Sequence, residues 1–409
     1  MMLESELETM RKSFKTSSER TNQLMKDPKM QELKKRVQKI RENAIKNNQQ
    51  LYQEAKQSLE ANGIEVIYAK DIETVQEKTK ELIEKHSRSD KLEDVTVVKA
   101  KSNTIREVEI EKYLDQYNVN FIATDLGDRI LQLKDKEGIP VHPTGPIAHL
   151  NIKAITEVIN NTPEMNVTVT EDAQEIMQAV KKDVLKLMNK SDVGISGANC
   201  ISAEEGSIVL IHNEGNINHI ISKKLHIIIA GIDKIVPTLE DAISIAKLET
   251  VYATGKKVTS YMNVISGPSK TADIEKKLFK NMYGAENVVL FLLDNGRSEA
   301  FNECLWCIGC GNCTVSCPVY NAIGNEFGYN NYVGGRGVAL SSFISDDETS
   351  KDSGLFKCTL CGLCTENCPV SLPTNMLIEH IRANCNNEGI FLKSHKVIKE
   401  RIEDHSSPY

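Results

Sequence analysis

The chain has 409 residues, 40% apolar and 26% charged, with a formal net charge of −7. That composition describes a globular protein with room for two domains and an arm. The acidic balance leaves no electrostatic footprint for nucleic acid, and no apolar run approaches the roughly 20 residues that a membrane span needs.

Residues 1–62 read as a charged helical arm. Leu24, Met25, Met30, Leu33, Val37 and Ile40 form a loose apolar stripe, continued by Ile45, Leu51, Tyr52, Ala55 and Leu59. Such a stripe predicts packing on the chain's own domain or on a second subunit. From Gly63 the pattern changes. Ile64–Tyr68, Val95–Val98 and Val119–Ala123 are β-branched runs that predict strands. Asp71–Lys85 and Ile105–Tyr117 between them have helical spacing. After a long helix, Glu171–Met188, the runs Ser207–Ile211, Leu225–Ile229 and Val288–Leu292 predict further buried strands. Strands alternating with helices predict an α/β domain with a parallel sheet over residues 63–298. Residues 299–390 form a second, cysteine-rich domain. It closes on a helix with Met376, Leu377, Ile378, Ile381 and Cys385 on one stripe. Residues 391–409 are a tail whose polar end, Glu403–Tyr409, is expected to fray.

Nine of the 11 cysteines lie between Cys304 and Cys368. Cys307, Cys310, Cys313 and Cys317-Pro318 repeat as Cys358, Cys361, Cys364 and Cys368-Pro369. This C-x₂-C-x₂-C-x₃-C-P run is the spacing that holds two [4Fe–4S] clusters, with the fourth cysteine of each run reaching to the other cluster. One set is therefore Cys307, Cys310, Cys313 and Cys368; the other is Cys358, Cys361, Cys364 and Cys317. A zinc site would need neither the third x₂ cysteine nor the trailing Cys-Pro. Disulfides do not suit a long chain that confines its cysteines to one module, and the pattern predicts a reducing cytoplasm. Cys304 reads as a buried thiol entering the module, although a register that uses it in place of Cys307 is conceivable. Cys200 and Cys385 read as small core residues. Gly324, Gly328, Gly334, Gly335 and Gly337 break the connection between the motifs into loops. That long connection, with the helix after Cys368, resembles the α-helical ferredoxins of succinate dehydrogenase iron–sulfur subunits.

Three stretches of the α/β domain are candidates for ligand binding. Lys99, Lys101 and Ser102 follow a strand and could hold an anion; the plainer alternative is a helix cap with surface lysines. Gly194, Gly197 and Asn199, then Glu204, Glu205, Gly206 and Ser207, offer tight turns and acidic groups, as do Glu214 and Asn216 after the next strand. Here the alternative is turn glycines and solvated acids. His142 and His149 lie in a proline-rich loop that could border a site. Neither a dinucleotide-binding nor a P-loop fingerprint is present.

Lys99-Ala-Lys-Ser102, Thr124-Asp-Leu-Gly127, Gly197-Ala-Asn199, Asn213-Glu-Gly-Asn216, Gly231-Ile-Asp-Lys234, Ser266-Gly-Pro268, Asp294-Asn-Gly-Arg297 and both cysteine motifs together resemble the lactate utilisation protein B family. The resemblance runs from about residue 43 to 385. It implies a lactate-utilisation α/β domain, similar in fold to CoA transferases and sugar-phosphate isomerases, joined to an α-helical two-cluster ferredoxin. It also implies partners, namely a second iron–sulfur protein and a cluster-free protein of the same domain type, that together oxidise L-lactate to pyruvate. Where the family has Tyr-Pro-Gly-Pro-Ile-Gly between the motifs, this chain has Tyr332-Val-Gly-Gly-Arg-Gly337. The expectation is an electron-transfer subunit, cytoplasmic, with no direct membrane insertion. The alternatives are electron transfer for another donor in anaerobic energy metabolism, or acyl-transferase-like chemistry at Glu204, whose Glu-x-Gly context resembles the CoA-transferase nucleophile.

Overall fold

The computed structural model of the chain describes residues 2–89, 91–136 and 138–406. In chain order its α/β part runs β1 (Glu65–Ala69), β2 (Thr96–Lys99), β3 (Asn120–Ala123), β4 (Val193–Ser196), β5 (Cys200–Ser202), β6 (Ser207–His212), β7 (Leu225–Gly231), β8 (Ile235–Val236), β9 (Tyr261–Ile265), a short ribbon of β10 (Lys270–Thr271) and β11 (Phe279–Lys280), and β12 (Asn287–Leu293). Six strands form an all-parallel sheet in the order β1-β12-β7-β4-β2-β3.

β7 and β12 lie at its centre and read as unbroken apolar runs because both faces of a parallel sheet are covered. Successive side chains point to opposite faces. Ile227 and Ile229 thus pack with Val75, Leu82 and Ile83 of the Ile72–His86 helix, whereas Ile228 and Ala230 pack toward the N-terminal helices. At the β2–β3 end the same second face is covered by Ile176, Val180, Val184 and Met188 of the Ala173–Met188 helix.

The expected parallel sheet is present, with departures in detail. Ser207–Ile211 is a strand, but of a second sheet, β8-β5-β6-β9, where it runs antiparallel to β5 and β9. Gly194, read as a turn residue, is inside β4. A Cβ there would come 2.4 Å from the Ile220 carbonyl oxygen, so close backbone packing is what calls for glycine. The expected helix Ile105–Tyr117 is two short ones, Asn103–Glu107 and Ile110–Asp115, parted by Glu109 in the left-handed region at φ 47°. The tail forms the helix Lys393–His405, which buries no residue. Helical order thus reaches into the stretch expected to fray, and residues 407–409 lie outside the described residues.

The arm is three helices, Glu4–Leu24, Pro28–Lys46 and Asn48–Ala61. The second begins with Pro28 at its first position and Asp27 accepting the Lys29 N–H, which is a strong start signal. The arm packs on its own chain. Met10, Val37, Ala44, Ala55 and Leu59 are fully buried in one continuous core with β5, β6 and the cysteine-rich module. Arg41 straps the module down, donating from Nη2 to the Leu305 carbonyl at 2.6 Å and from Nε to the Trp306 carbonyl at 3.1 Å. In the module, the Thr374–Asn387 helix buries Leu377, Ile378, Ile381 and Cys385, while Met376, expected on the same stripe, is exposed.

Candidate cluster site and the adjoining cavity

The two cysteine motifs fold alike. Gly309 and Gly311 have φ of 83° and 76°, and their counterparts Leu360 and Gly362 have 55° and 78°. Left-handed residues at these two positions curl each loop back on its first cysteine. The Gly309 N–H donates to Cys307 Sγ and the Leu360 N–H to Cys358 Sγ, each at 3.4 Å. Each loop then enters a single helical turn, Asn312–Val315 or Leu363–Glu366, that carries the third cysteine. Cys317 caps the Pro318–Ile323 helix and accepts the Tyr320 N–H at 3.4 Å. The proline after the cysteine sits where a helix tolerates its missing N–H. Asn312 Nδ2 donates to the Asn367 carbonyl at 2.8 Å, tying the first loop to the residue before Cys368.

Burial pushes the Cys310 and Cys313 thiols well above their ordinary value; Cys368 adds to this at Cys310, and Cys307, Cys368 and Cys364 add to it at Cys313. Burial likewise raises Cys317, where the added charges are those of Cys364 and Cys358. Cys304 is fully buried in the Asn302–Trp306 turn, where burial lifts its thiol to about 11.

The donor set suits an iron–sulfur group. Soft thiolates in sets of four are what such clusters take. Arg336, where the resembled family has isoleucine, supplies a second observation. Its Nε is shut off from solvent with no hydrogen-bond partner, and of the ionisable groups around it Cys307 acts on it most strongly. An anionic cluster on Cys307 would give that guanidinium a countercharge.

Beside the first loop lies a cavity of about 230 Å³ at the C-terminal ends of the parallel strands, the usual ligand crevice of an open α/β sheet. Lys101 and Ser102 follow β2, Asp125 follows β3, Gly197 and Asn199 follow β4, and Lys234 follows β7. His212, Glu214 and Asn216 enter from the end of β6, Glu249 from the Leu239–Thr254 helix, and Ile308 and Gly309 from the cysteine loop itself. Gly197 is required by closeness, because a Cβ there would sit 2.4 Å from Ser102 Oγ.

The charges in the cavity are mixed. Lys101 Nζ pairs with Asp125 at 2.8 Å; burial opposes its charge, but Asp125 keeps its pKa above the ordinary lysine value. Asn199 Nδ2 donates to both Glu249 carboxylate oxygens at 3.0 Å. Burial nonetheless lifts Glu249 to about 7. Burial also lifts Glu214 to about 7, with the Asp125 charge adding to it.

Glu249 makes a pH prediction. Between its ordinary value of about 4.3 and about 7, the folded chain keeps a proton that the unfolded chain has lost, so this group's contribution to stability falls as pH rises through that window. Glu249→Gln is expected to gain roughly 1–3 kcal/mol over the parent at pH 8 and little at pH 4.5. Anaerobic thermal unfolding at the two pH values reads the difference, and an equal gap at both would contradict it.

Six of the predicted ligand residues line this cavity: Lys101, Ser102, Gly197, Asn199, Glu214 and Asn216. Four do not. Lys99 is buried and bonded to Asp128 at 2.5 Å, where Arg106 also reaches Asp128. Glu204 is an exposed residue of the β5–β6 turn, and its neighbour Glu205 accepts the Leu239 N–H. Gly206 packs against the Ser58 backbone, and Ser207 Oγ is 2.6 Å from Ser266 Oγ. His142 is buried against Phe14 and the Gly311 backbone; burial drops it and His149 to about 4. Neither lines the cavity, although Pro143 and Thr144 beside His142 do. Lys234, Glu249 and His212 were not among the candidates. Lys234 stands inside the quoted stretch Gly231–Lys234, but no local pattern marks Glu249, which is one polar residue on a mostly apolar helix.

Residues 52–293 match the LUD domain family and residues 303–372 the 4Fe-4S dicluster domain. The chain is 30% identical over 360 residues to lactate utilization protein B of Geobacillus kaustophilus, covering 86% of this chain and 72% of that one.

The chain belongs to the lactate utilization protein B family.

To the family member of Lysinibacillus sphaericus it is 33% identical, over 74% of this chain and 62% of the relative. To that of Anoxybacillus flavithermus it is 34% identical, over 72% and 61%. The matched segment thus spans less than two thirds of those two family members. No solved structure matches the chain. Among the described residues no helix is long and apolar enough to cross a membrane.

Proposed function

We propose that this chain is the electron-transfer iron–sulfur subunit of a cytoplasmic system that oxidises a 2-hydroxyacid, of the kind that turns L-lactate into pyruvate. Two [4Fe–4S] clusters are held, one by Cys307, Cys310, Cys313 and Cys368, the other by Cys358, Cys361, Cys364 and Cys317. The observation that carries the reading is the pair of cysteine motifs folded into two loops of the same curl, whose spacing assigns the fourth cysteine of each motif to the other's cluster. The Asn312–Asn367 hydrogen bond, which ties the first loop to the residue before Cys368, supports the crossed assignment. When bound, such clusters take up and release single electrons; two of them match the two electrons that leave a 2-hydroxyacid.

The protein's part is positional. The loop N–H groups point at sulfur, Cys310 is buried while Cys361 is exposed, and Arg336 supplies positive charge beside Cys307. No flavin motif is present in the sequence, so first oxidation of the substrate falls to a partner, proposed as the second iron–sulfur protein and the cluster-free LUD-domain protein of the system. The relatives' name supports the substrate class. The test is anaerobic. The cluster-loaded protein, copurified with its partners, is given L-lactate and its visible absorption is followed. Bleaching supports the reading. A preparation that dithionite bleaches and lactate does not would move the donor to another metabolite.

A further inference from the structure

The cavity is well placed to do more than fill space. Its walls are the strand ends of the α/β domain on one side and Ile308 and Gly309 of the first cysteine loop on the other. Lys101 is already committed to Asp125. Lys234 lines the same space and, among the described residues, makes no hydrogen bond and no close ion pair; Glu249 feels only its charge. The Glu249 carboxyl, oriented by two hydrogen bonds from Asn199, and Ser102 line the same cavity. Glu249 reaches the loop: a Cβ on Gly309 would be 3.7 Å from its Oε1.

We propose that this cavity binds a small 2-hydroxy monocarboxylate. Lys234 takes its carboxylate, and Glu249, held by Asn199, accepts its hydroxyl proton in a hydrogen bond. The volume suits a few heavy atoms, not a nucleotide or an acyl-CoA. The class of anion follows from charge. Asp125 already neutralises Lys101, so among the described residues Lys234 is the cation left for a ligand: a monoanion with a donor hydroxyl satisfies both it and the Glu249 acceptor, whereas a dianion such as phosphate finds only half its countercharge. Because the bound anion lies against the Cys307–Cys310 loop, its negative charge makes the first cluster harder to reduce and leaves the second nearly unchanged. The ligand class rests on the 2-hydroxyacid reading above; the binding does not require that this chain perform the oxidation.

The test uses the cluster-loaded chain under anaerobic conditions, with calorimetric titration of L-lactate, propionate and inorganic phosphate. L-lactate is expected to bind, with propionate, which lacks the hydroxyl, weaker by roughly 10-fold, and phosphate weaker still. Lys234→Met is expected to weaken L-lactate by roughly 10-fold to 100-fold with iron content unchanged, and Lys234→Arg to retain most of the affinity. Redox titration followed by EPR is expected to show the potential of one cluster falling when L-lactate is added. Binding by Lys234→Met as tight as the parent's, or no binding of L-lactate by a parent protein with both clusters present, overturns the proposal. Neither result touches the electron-transfer reading, which fails separately if the clusters are missing.

Discussion

Cys368→Ala and Cys313→Ala are expected to lose the same cluster, although the two residues belong to different motifs. Each removes one of four thiolates from the set around the first loop, because the motif spacing sends the fourth cysteine of each run to the other run's cluster. Cys317→Ala and Cys358→Ala should form the other matching pair by the same rule. Iron should fall from about eight to about four per chain in all four variants. EPR of the reduced proteins should sort them two and two, with Cys368→Ala alongside Cys313→Ala. If Cys368→Ala instead matched Cys358→Ala, each motif would hold its own cluster and the crossed assignment would be wrong.

The largest stability effect is expected at Arg297. It is 3% exposed and forks onto Glu107, itself 2% exposed, with Nη1 and Nη2 at 2.8 and 2.6 Å. Its Nε reaches Asp233 at 3.1 Å. Tyr332, from the connection between the cysteine motifs, donates its hydroxyl to Glu107 at 2.5 Å. One guanidinium therefore joins the Asn103–Glu107 helix, the end of β7 and the cysteine-rich module. Burial works against the Glu107 charge, but Arg297 outweighs it and leaves the carboxyl below its ordinary range. Its stabilisation is thus present above the ordinary carboxylate range and is lost as pH falls through the lowered value. Arg297→Met strands two buried carboxylates and is expected to cost about 3–5 kcal/mol. Arg36→Met, which removes a half-exposed partner of Glu240 and Asp241, should cost less than about 1 kcal/mol. Denaturant unfolding of the two variants beside the parent measures both. An Arg297→Met midpoint equal to that of Arg36→Met would contradict the account.

The cysteine ligands and the parallel sheet could be read from the sequence because their signals are local. A C-x₂-C-x₂-C-x₃-C-P run states its own loop geometry, and β-branched runs such as Leu225–Gly231 announce strands buried on both faces. What escaped depends on partners distant in sequence. Val193–Ser196 carries a glycine and a serine, so it looks like a turn until Ile220 is seen pressed against Gly194. Ser207–His212 looks like any central strand, and only its antiparallel partners β5 and β9 place it in a second sheet. Lys99 and Lys101 were equal candidates by pattern. Lys99 closes β2 and is buried in the core on Asp128, whereas Lys101 lies past the end of the strand and stands at the cavity. Glu204 and Glu214 were likewise alike in sequence, yet one is on an exposed turn and the other faces the crevice. Glu249 had no local signal because its role arises from Asn199, 50 positions away.

The most direct test of the central claim is anaerobic iron and acid-labile sulfide analysis joined to EPR of the dithionite-reduced protein. The account predicts about eight iron and eight sulfide per chain, with two interacting S = ½ spins. Zinc without sulfide in carefully anaerobic material would contradict it and leave the cavity of the α/β domain as the seat of function.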